Sequence, residues 1–219
     1  MIWVFSIGAI VVATIGSIFL NAKSPRSVRH RKKFILELNI NRLAKELQAT
    51  SGPKIAILGQ PGAGKSSLLK NMTGNKVVPI PMIGTQTDAT NWASDAGCNL
   101  LSRYKKYIFA DVPGYDTASH PASIFLASFP FELFDTLILV IHGKLHSADE
   151  RIFRKIHKSG RRFHITKSFS DSNDQMQRLA ISKDIVTRLS LPTSHPVLFF
   201  SNRTGEGIKS VFDAISTAR

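Results

Sequence analysis

The first apolar stretch of the chain lies at its N-terminus, where residues 2–20 contain no charged side chain. In a helix, a stretch of this length spans roughly 28 Å, which is close to the hydrocarbon thickness of a bilayer. The basic residues follow this stretch, whereas a cleavable signal peptide carries them in front. The pattern therefore predicts an uncleaved transmembrane anchor over residues 1–22, with a buried core helix as the alternative.

A basic segment and an amphipathic pattern occupy residues 23–52. The stretch NAKSPRSVRHRKK contains six cations and no acid, and FILELNINRLAKELQA then places apolar residues at helical spacing. The breakers at residues 50–53 end this pattern. By the positive-inside rule the basic flank remains in the cytoplasm, where it can contact anionic lipid headgroups. We expect an amphipathic helix with Phe34, Ile35, Leu38, Leu43 and Leu47 on its apolar face.

From residue 53 to residue 219 short apolar runs alternate with helical patterns. The runs KIAILG, KYIFAD, TLILVIHG, RFHIT and HPVLFFSN predict buried strands, and residues 66–72, 148–158, 174–189 and 207–218 predict helices. Alternating strands and helices are typical of a mainly parallel sheet that is covered on both faces. The expected fold class is α/β, with three layers and a six-stranded sheet.

The charge balance indicates an anionic partner. The formal net charge is +14 and the pI is about 10.2, which favours a membrane surface or nucleic acid. The basic stretch RIFRKIHKSGRR fits either a solvated face or membrane contact, and it contains no aromatic and basic platform of the kind that binds RNA. A nucleic-acid partner is therefore not expected. The single Cys98 excludes an internal disulfide, and the histidines show no paired spacing for a metal site.

The segment KIAILGQPGAGKSS matches the phosphate-binding pattern G-x-x-x-x-G-K-[ST] directly after an apolar strand. Backbone N–H groups of such a loop surround phosphates at the positive end of a helix dipole. Lys65 is predicted to reach the β and γ phosphates, and Ser66 to be a ligand of Mg²⁺. The predicted nucleotide-binding residues are Gly59, Gln60, Pro61, Gly62, Ala63, Gly64, Lys65, Ser66 and Ser67.

A second element, YIFADVPGY, follows about fifty residues after the loop. Asp111 ends the predicted strand, where a carboxylate would hold magnesium through water, and the backbone of Gly114 would face a γ-phosphate. The two elements together predict a nucleoside triphosphatase.

With these motifs the chain resembles the GTPase superfamily of the small G-protein kind from Lys54 onward. GKSSLLKNMTG resembles the first helix of septin, dynamin-related and immunity-related GTPases, and the D-V-P-G segment is similar to that of the immunity-related group. The segment S-N-R-T-G-E-G-I at residues 201–208 resembles the S-A-K-T-G-E-G-I of bacterial Era-like GTPases. The resemblance implies GTP as substrate, Mg²⁺ as cofactor, and contact of Ser201 and Asn202 with the base.

The resemblance also implies a mobile loop whose threonine joins the magnesium shell. GTQTDATNW offers Thr85, Thr87 and Thr90, and we assign the role to Thr87. Tyr115 stands where many small G proteins carry a water-orienting glutamine, so slow intrinsic hydrolysis is expected, raised by self-association or by an activating protein. His120 is a candidate for contact with the attacking water, although a loop histidine is more often simply solvated.

The base-reading element is incomplete. In HITKSFSDSND, Lys167 is placed to lie along the base, but Phe169 stands where the resemblance calls for an aspartate. A phenyl ring cannot accept the guanine N–H groups. A bulge at residues 168–170 would bring Asp171 to the base edge, whereas without it base discrimination would be lost.

The sequence predicts a membrane-anchored GTP-binding protein that hydrolyses GTP to GDP, either as a switch or as a self-assembling membrane GTPase. The alternatives are a nucleotide-binding scaffold with little hydrolysis and an ATPase.

Overall fold

The computed structural model describes residues 25–81 and 90–217. The predicted anchor, residues 1–22, lies outside these residues. Within the described part of the chain, no helix combines the length and the apolar character needed to cross a membrane.

A central six-stranded sheet organises the fold, with the strand order β2-β3-β1-β4-β5-β6. All neighbouring strands are parallel except β2 and β3, which are antiparallel. This confirms the α/β class and the mainly parallel sheet. The strands are β1 (Lys54–Gly59), β2 (Ser102–Tyr104), β3 (Tyr107–Asp111), β4 (Thr136–Ile141), β5 (Arg162–Lys167) and β6 (Val197–Phe199).

Six α-helices surround the sheet in the described residues. They are α1 (Pro25–Ala49), α2 (Lys65–Met72), α3 (Ala122–Ser128), α4 (Ser147–Lys158), α5 (Gln175–Arg188) and α6 (Ile208–Ser216). Short 3₁₀ turns span Phe131–Leu133 and Ser170–Ser172. The alternating pattern of the sequence correctly predicted four of these helices, α2, α4, α5 and α6. It did not predict the short helix α3 or the three-residue strand β2.

Successive residues of the central strands point to opposite faces of the sheet, as the pleat requires. On β1, Ala56 and Leu58 join one core with α1, α3, α4 and α5, while Ile55 and Ile57 join the other core with α2 and α6. Both faces of the sheet are therefore covered. This double coverage explains why β1, β3 and β4 appear in the sequence as continuous apolar runs.

The helix α1 differs from its prediction in two ways. It begins at Pro25, so the basic segment is part of the helix rather than a separate lead-in. Its apolar face was also partly misassigned, because Phe34 is 65% exposed and Leu38 is 43% exposed.

The core-facing residues of α1 are Leu36, Ile40, Leu43 and Leu47, all of which are fully buried. Burial of such side chains contributes about 2 kcal/mol each before conformational entropy is subtracted. The helix thus packs along the domain, next to α3 and the turn Phe131–Leu133.

Candidate functional site

The phosphate-binding loop connects β1 to α2 at the carboxyl edge of the sheet. Gly64 precedes the helix with φ 87° and ψ 20°, a left-handed conformation that glycine adopts without strain. A Cβ at this position would also lie 2.6 Å from the Asn202 side-chain nitrogen. The chain therefore turns directly into a helix N-terminus, where unpaired N–H groups attract phosphate.

Lys65 is the first residue of α2, and its side chain is buried. Its ammonium donates to the carbonyl oxygens of Gly59 and Gln60, at 3.0 Å each. The charge is thus held over the loop, where it can neutralise a phosphate. Gly62 is exposed, Ala63 is buried, and Pro61 and Ser67 are half-buried.

Three oxygen-bearing side chains meet beside this loop. The Ser66 hydroxyl donates to Asp111 Oδ2 at 2.6 Å, and Thr90 Oγ1 donates to the same oxygen at 2.9 Å. The two hydroxyl oxygens are 3.3 Å apart. These distances bring together the helix start, the end of β3 and the loop after residue 89.

This cluster fits a magnesium ion. Its donors are hard oxygen atoms, which Mg²⁺ prefers, and Asp111 Oδ1 is buried with no hydrogen-bond partner in the described residues. Burial raises the pKa of Asp111, while Lys65, Ser66 and Thr90 oppose the shift. Thr87, the residue assigned from the sequence, lies outside the described residues. Among the described residues, Thr90 is the threonine that bonds to Asp111.

The segment after β3 packs closely on the phosphate loop. A Cβ on Gly114 would lie 2.4–2.6 Å from backbone and ring atoms of Pro61, so only glycine fits at this position. The close approach keeps the backbone of Gly114 beside the phosphate loop, and its contact with a γ-phosphate stays a prediction.

Tyr115 lies in a buried hydrogen-bond network that the sequence did not predict. It is fully buried, and its hydroxyl donates to Asp149 Oδ1 at 2.6 Å. Gln60 Nε2 donates to the same oxygen at 3.3 Å, and the His146 backbone N–H donates to Asp149 Oδ2 at 2.9 Å. Burial, followed by the Asp149 charge, raises the pKa of Tyr115. Through their shared acceptor Asp149, Tyr115 and Gln60 therefore connect the segment after β3 with α4 and with the phosphate loop.

Asp149 accepts from the backbone N–H of His146, the N-cap of α4, but H-x-x-D is not the S/T-x-x-E/Q pattern that marks a capping box in sequence. Its contact with Tyr115 is long-range and has no sequence signal. His120, weighed as a contact for the attacking water, is fully buried, and its Nε2 accepts from the Trp92 backbone N–H at 3.2 Å. This histidine therefore joins the two loops on either side of the site.

The base-reading candidates lie at the ends of β5 and β6. Phe169 takes a left-handed conformation with φ 59°, and its ring lies 4.4 Å from the ring of His142. The 3₁₀ turn Ser170–Ser172 follows immediately. Lys167 is buried at the end of β5, and burial lowers its pKa.

Asp171 lies within this turn and points to the loop that follows β6. The Arg203 guanidinium donates to Asp171 Oδ2 through Nε at 2.9 Å and through Nη2. Bonds from Ser201 and Arg203 lower the pKa of Asp171. By contrast, Asp174 forms the N-cap of α5 and accepts from the Gln177 N–H at 2.8 Å.

Asn202 connects the base-reading region with the phosphate loop. Its Nδ2 donates to the Gly64 carbonyl at 3.0 Å, and Asn71 Nδ2 donates to Asn202 Oδ1 at 3.1 Å. Ser201 is buried, and its hydroxyl accepts from the N–H groups of Arg203 and Thr204 at 3.2 Å each. The four motif regions predicted from sequence thus lie along one edge of the sheet.

The arrangement agrees with a match to known proteins. The chain matches the family described as "50S ribosome-binding GTPase" over residues 54–168, which is more than half of its length. The chain belongs to this family of P-loop GTPases. The Era-like part of the predicted resemblance is confirmed by this match and by the relatives below.

Two curated relatives illustrate the similarity. The chain is 26% identical over 167 residues to the GTPase Der of Solidesulfovibrio magneticus, covering 72% of this chain and 36% of that protein. It is 26% identical over 171 residues to the probable GTP-binding protein EngB of Lacticaseibacillus casei, covering 73% of this chain and 82% of that protein. The chain spans less than half the length of the Der relatives.

Solved structures share the fold. A probable GTP-binding protein engB superposes with a TM-score of 0.54 at 15% identity, covering 75% of this chain and 99% of that chain. Aquifex aeolicus Era, bound to GDP and AlF4⁻, superposes with a TM-score of 0.55 at 20% identity, covering 78% of this chain and 59% of that chain.

Proposed function

We propose that this protein is a membrane-anchored, magnesium-dependent GTPase that binds GTP, hydrolyses it slowly to GDP and acts as a molecular switch. The observation that carries the proposal is the convergence of Ser66, Thr90 and Asp111 beside the phosphate loop, on the same sheet edge as Asp171 and Ser201. Membership of the GTPase family supports it.

Each requirement of GTP hydrolysis can be assigned to particular groups of the chain. Lys65 neutralises charge on the β and γ phosphates, and the N-terminus of α2 binds them through backbone N–H groups. Magnesium would be held by Ser66 and Thr90, with Asp111 supporting its water shell, and it would supply charge neutralisation at the phosphates. The Gly114 N–H is placed to contact the γ-phosphate.

The structure also supplies a reason for slow turnover. The Tyr115 hydroxyl is buried and bonded to Asp149, so it does not face a water molecule beside the γ-phosphate. Positioning of the attacking water is a main contribution of proteins that hydrolyse GTP. A partner or a second copy of the chain would therefore have to supply this contact for fast turnover.

Guanine selectivity is assigned to Asp171. Its carboxylate would accept from the guanine N1–H and amino group. This assignment is supported by the left-handed Phe169, which precedes the 3₁₀ turn where Asp171 lies beside Ser201 and Arg203. Asp174 is used as a helix cap, which makes it the less suitable acceptor.

The selectivity is tested with full-length protein in detergent, by displacement of a fluorescent GTP analogue with GTP, ATP or XTP in the presence of Mg²⁺. We expect Asp171→Asn to weaken GTP at least about tenfold and to favour XTP, because an amide can donate to the xanthine 2-carbonyl. Asp174→Asn is the matched control and should preserve GTP preference. Equal behaviour of the two variants would exclude Asp171 as the base reader.

The phosphate site needs a separate control. Lys65→Ala should abolish displacement, whereas Lys70→Ala, which removes a lysine one turn later on α2, should leave it within about twofold. Binding by Lys65→Ala at the wild-type level would refute the site. Displacement of the analogue by ATP as effectively as by GTP would favour the ATPase alternative.

A second candidate function is a nucleotide-binding membrane scaffold, and the buried Tyr115 favours it. Single-turnover hydrolysis of bound GTP distinguishes the two. Conversion to GDP within minutes to hours supports the GTPase, whereas GTP that stays intact while remaining bound supports the scaffold.

The membrane part of the proposal rests on the uncharged residues 2–20 and on the basic residues that follow them. Fractionation of cells that express the full chain tests it. Carbonate-resistant membrane association is expected, and its loss on deletion of residues 1–22 is the second expected result. Release of the full chain by carbonate would contradict an anchor.

A further inference from the structure

A groove of about 440 Å³ separates the first half of α1 from the segment that follows the D-V-P-G motif. One wall is formed by basic residues of α1, namely Arg26, Arg29, His30 and Lys33. The opposite wall includes Ser119 and Ser123. The groove lies outside the nucleotide site and shares no residue with it.

The basic wall follows from helix geometry. The four residues are spaced i, i+3, i+4 and i+7, so they share one face of α1. Arg31 and Lys32 lie between them in sequence, are exposed, and do not line the groove. The helix therefore separates its cations into a groove-facing set and a set on other faces.

Among the described residues that line the groove, none is acidic and able to neutralise these cations. Glu37, one turn further along, lies 4.0 Å from Lys33, and both side chains are largely exposed, so their pairing is weak. His30 Nδ1 lies 2.9 Å from the Arg26 carbonyl oxygen, which fixes the imidazole against the helix. The positive potential of the groove thus remains available to a ligand.

The chemistry of the walls suits phosphate. Arginine presents a planar fork of donors that matches phosphate oxygens, lysine adds a compact charge, and serine hydroxyls supply neutral donors. We propose that this groove binds a phosphate ester group, from a lipid headgroup or from a soluble phosphate ester. The proposal goes beyond nucleotide binding and hydrolysis and uses none of the residues of the nucleotide site.

A ligand in the groove would contact a segment that leads to the nucleotide site. Its second wall begins at Ala118, three residues after Tyr115, and His120 of the same segment accepts from Trp92 near the magnesium-site residues. An occupied groove would hold α1 against this segment.

The test uses full-length protein in neutral detergent micelles, loaded with GDP and Mg²⁺ so that the nucleotide site is filled. In one arm sn-glycerol 3-phosphate is titrated by calorimetry. In the other arm the micelles contain phosphatidic acid or, as the neutral lipid, phosphatidylcholine, and bound lipid is counted by native mass spectrometry.

The matched variants remove the same charge from the same helix. Arg29→Ala/Lys33→Ala should weaken binding about tenfold or more, while Arg31→Ala/Lys32→Ala should change it less than about twofold. Equal circular dichroism and GDP binding establish that both variants are folded. Binding in the lipid arm alone identifies a headgroup, and binding in the soluble arm identifies a free phosphate ester. Equal loss in both variants, or no binding in either arm, overturns the proposal.

Discussion

At the scale of single residues, the site combines side chains whose identity could be deduced with side chains whose role depends on the fold. Lys65, Ser66 and Asp111 follow from motif spacing, because each stands at a fixed offset from a strand end. The partner of Tyr115 does not, because Asp149 is 34 residues away in sequence. Local patterns specify the phosphate-binding loop, whereas the packing of α4 against the segment after β3 decides where the Tyr115 hydroxyl is held.

The role of Tyr115 can be measured with Tyr115→Phe. Loss of the hydroxyl leaves the buried Asp149 carboxylate with one donor fewer, so we expect the free energy of unfolding to fall by about 1–3 kcal/mol. Single-turnover GTP hydrolysis should change less than about twofold, because the hydroxyl faces Asp149. Tyr104→Phe on β2 is the control and should change neither quantity appreciably. A tenfold loss of hydrolysis without loss of stability would show that Tyr115 orients water.

At the scale of elements, α1 is the feature that connects the basic segment with the nucleotide site. Its buried Asn39 donates through Nδ2 to the backbone carbonyls of Trp92 and Asp95, at 2.7 Å and 2.8 Å. Trp92 lies two residues after Thr90, which bonds to Asp111. The helix is therefore hydrogen-bonded to the loop that contains Thr90 of the proposed magnesium site, and rearrangement of that loop would alter the docking of α1.

Asn39→Ala tests this docking. The buried Trp92 carbonyl and the part-buried Asp95 carbonyl lose their donor, so the free energy of unfolding should fall by about 1–3 kcal/mol, and amide exchange in residues 91–98 should accelerate. Asn41→Ala is the matched control, since Asn41 is exposed on the same helix and gains the same helix propensity. Identical exchange in the two variants would show that Asn39 does not hold the loop.

The elements also show which sequence signals were sufficient. Buried parallel strands such as β4 are continuous apolar runs, so their positions were predicted correctly. The strand β2 contains only Ser102, Arg103 and Tyr104, too few residues for a periodic signal. The start of α1 was missed because exposed cations carry no apolar pattern. The buried face of α1 was predicted only in part, because the polar Asn39 is buried while the apolar Phe34 and Leu38 are exposed. The polarity of these three residues therefore did not indicate their burial.

At the scale of the whole molecule, stability should depend on pH through partly buried histidines. The pKa of His164 on β5 is lowered to about 4, first by burial and then by the charges of Arg162 and His195. Partial burial also lowers the pKa of His195 and, together with the charge of Lys167, that of the more exposed His142. An unfolded histidine titrates near 6.5, so between these values the unfolded chain binds more protons than the folded one. The free energy of unfolding should therefore fall as the pH decreases from about 6.5 to about 4.

The variant His164→Asn measures how much of this pH dependence arises from His164. The asparagine amide cannot titrate, yet it can replace one ring nitrogen as a hydrogen-bond donor. We expect urea denaturation to show that the variant loses less unfolding free energy than the wild type across this pH range. The difference should be on the order of 2 kcal/mol, a value reduced to allow for solvent screening of the partly exposed ring. His157→Asn on the exposed side of α4 is the control and should retain the wild-type slope. If both variants kept the wild-type slope of unfolding free energy against pH, the acid sensitivity would have to arise from other residues. That result would refute the lowered pKa of His164.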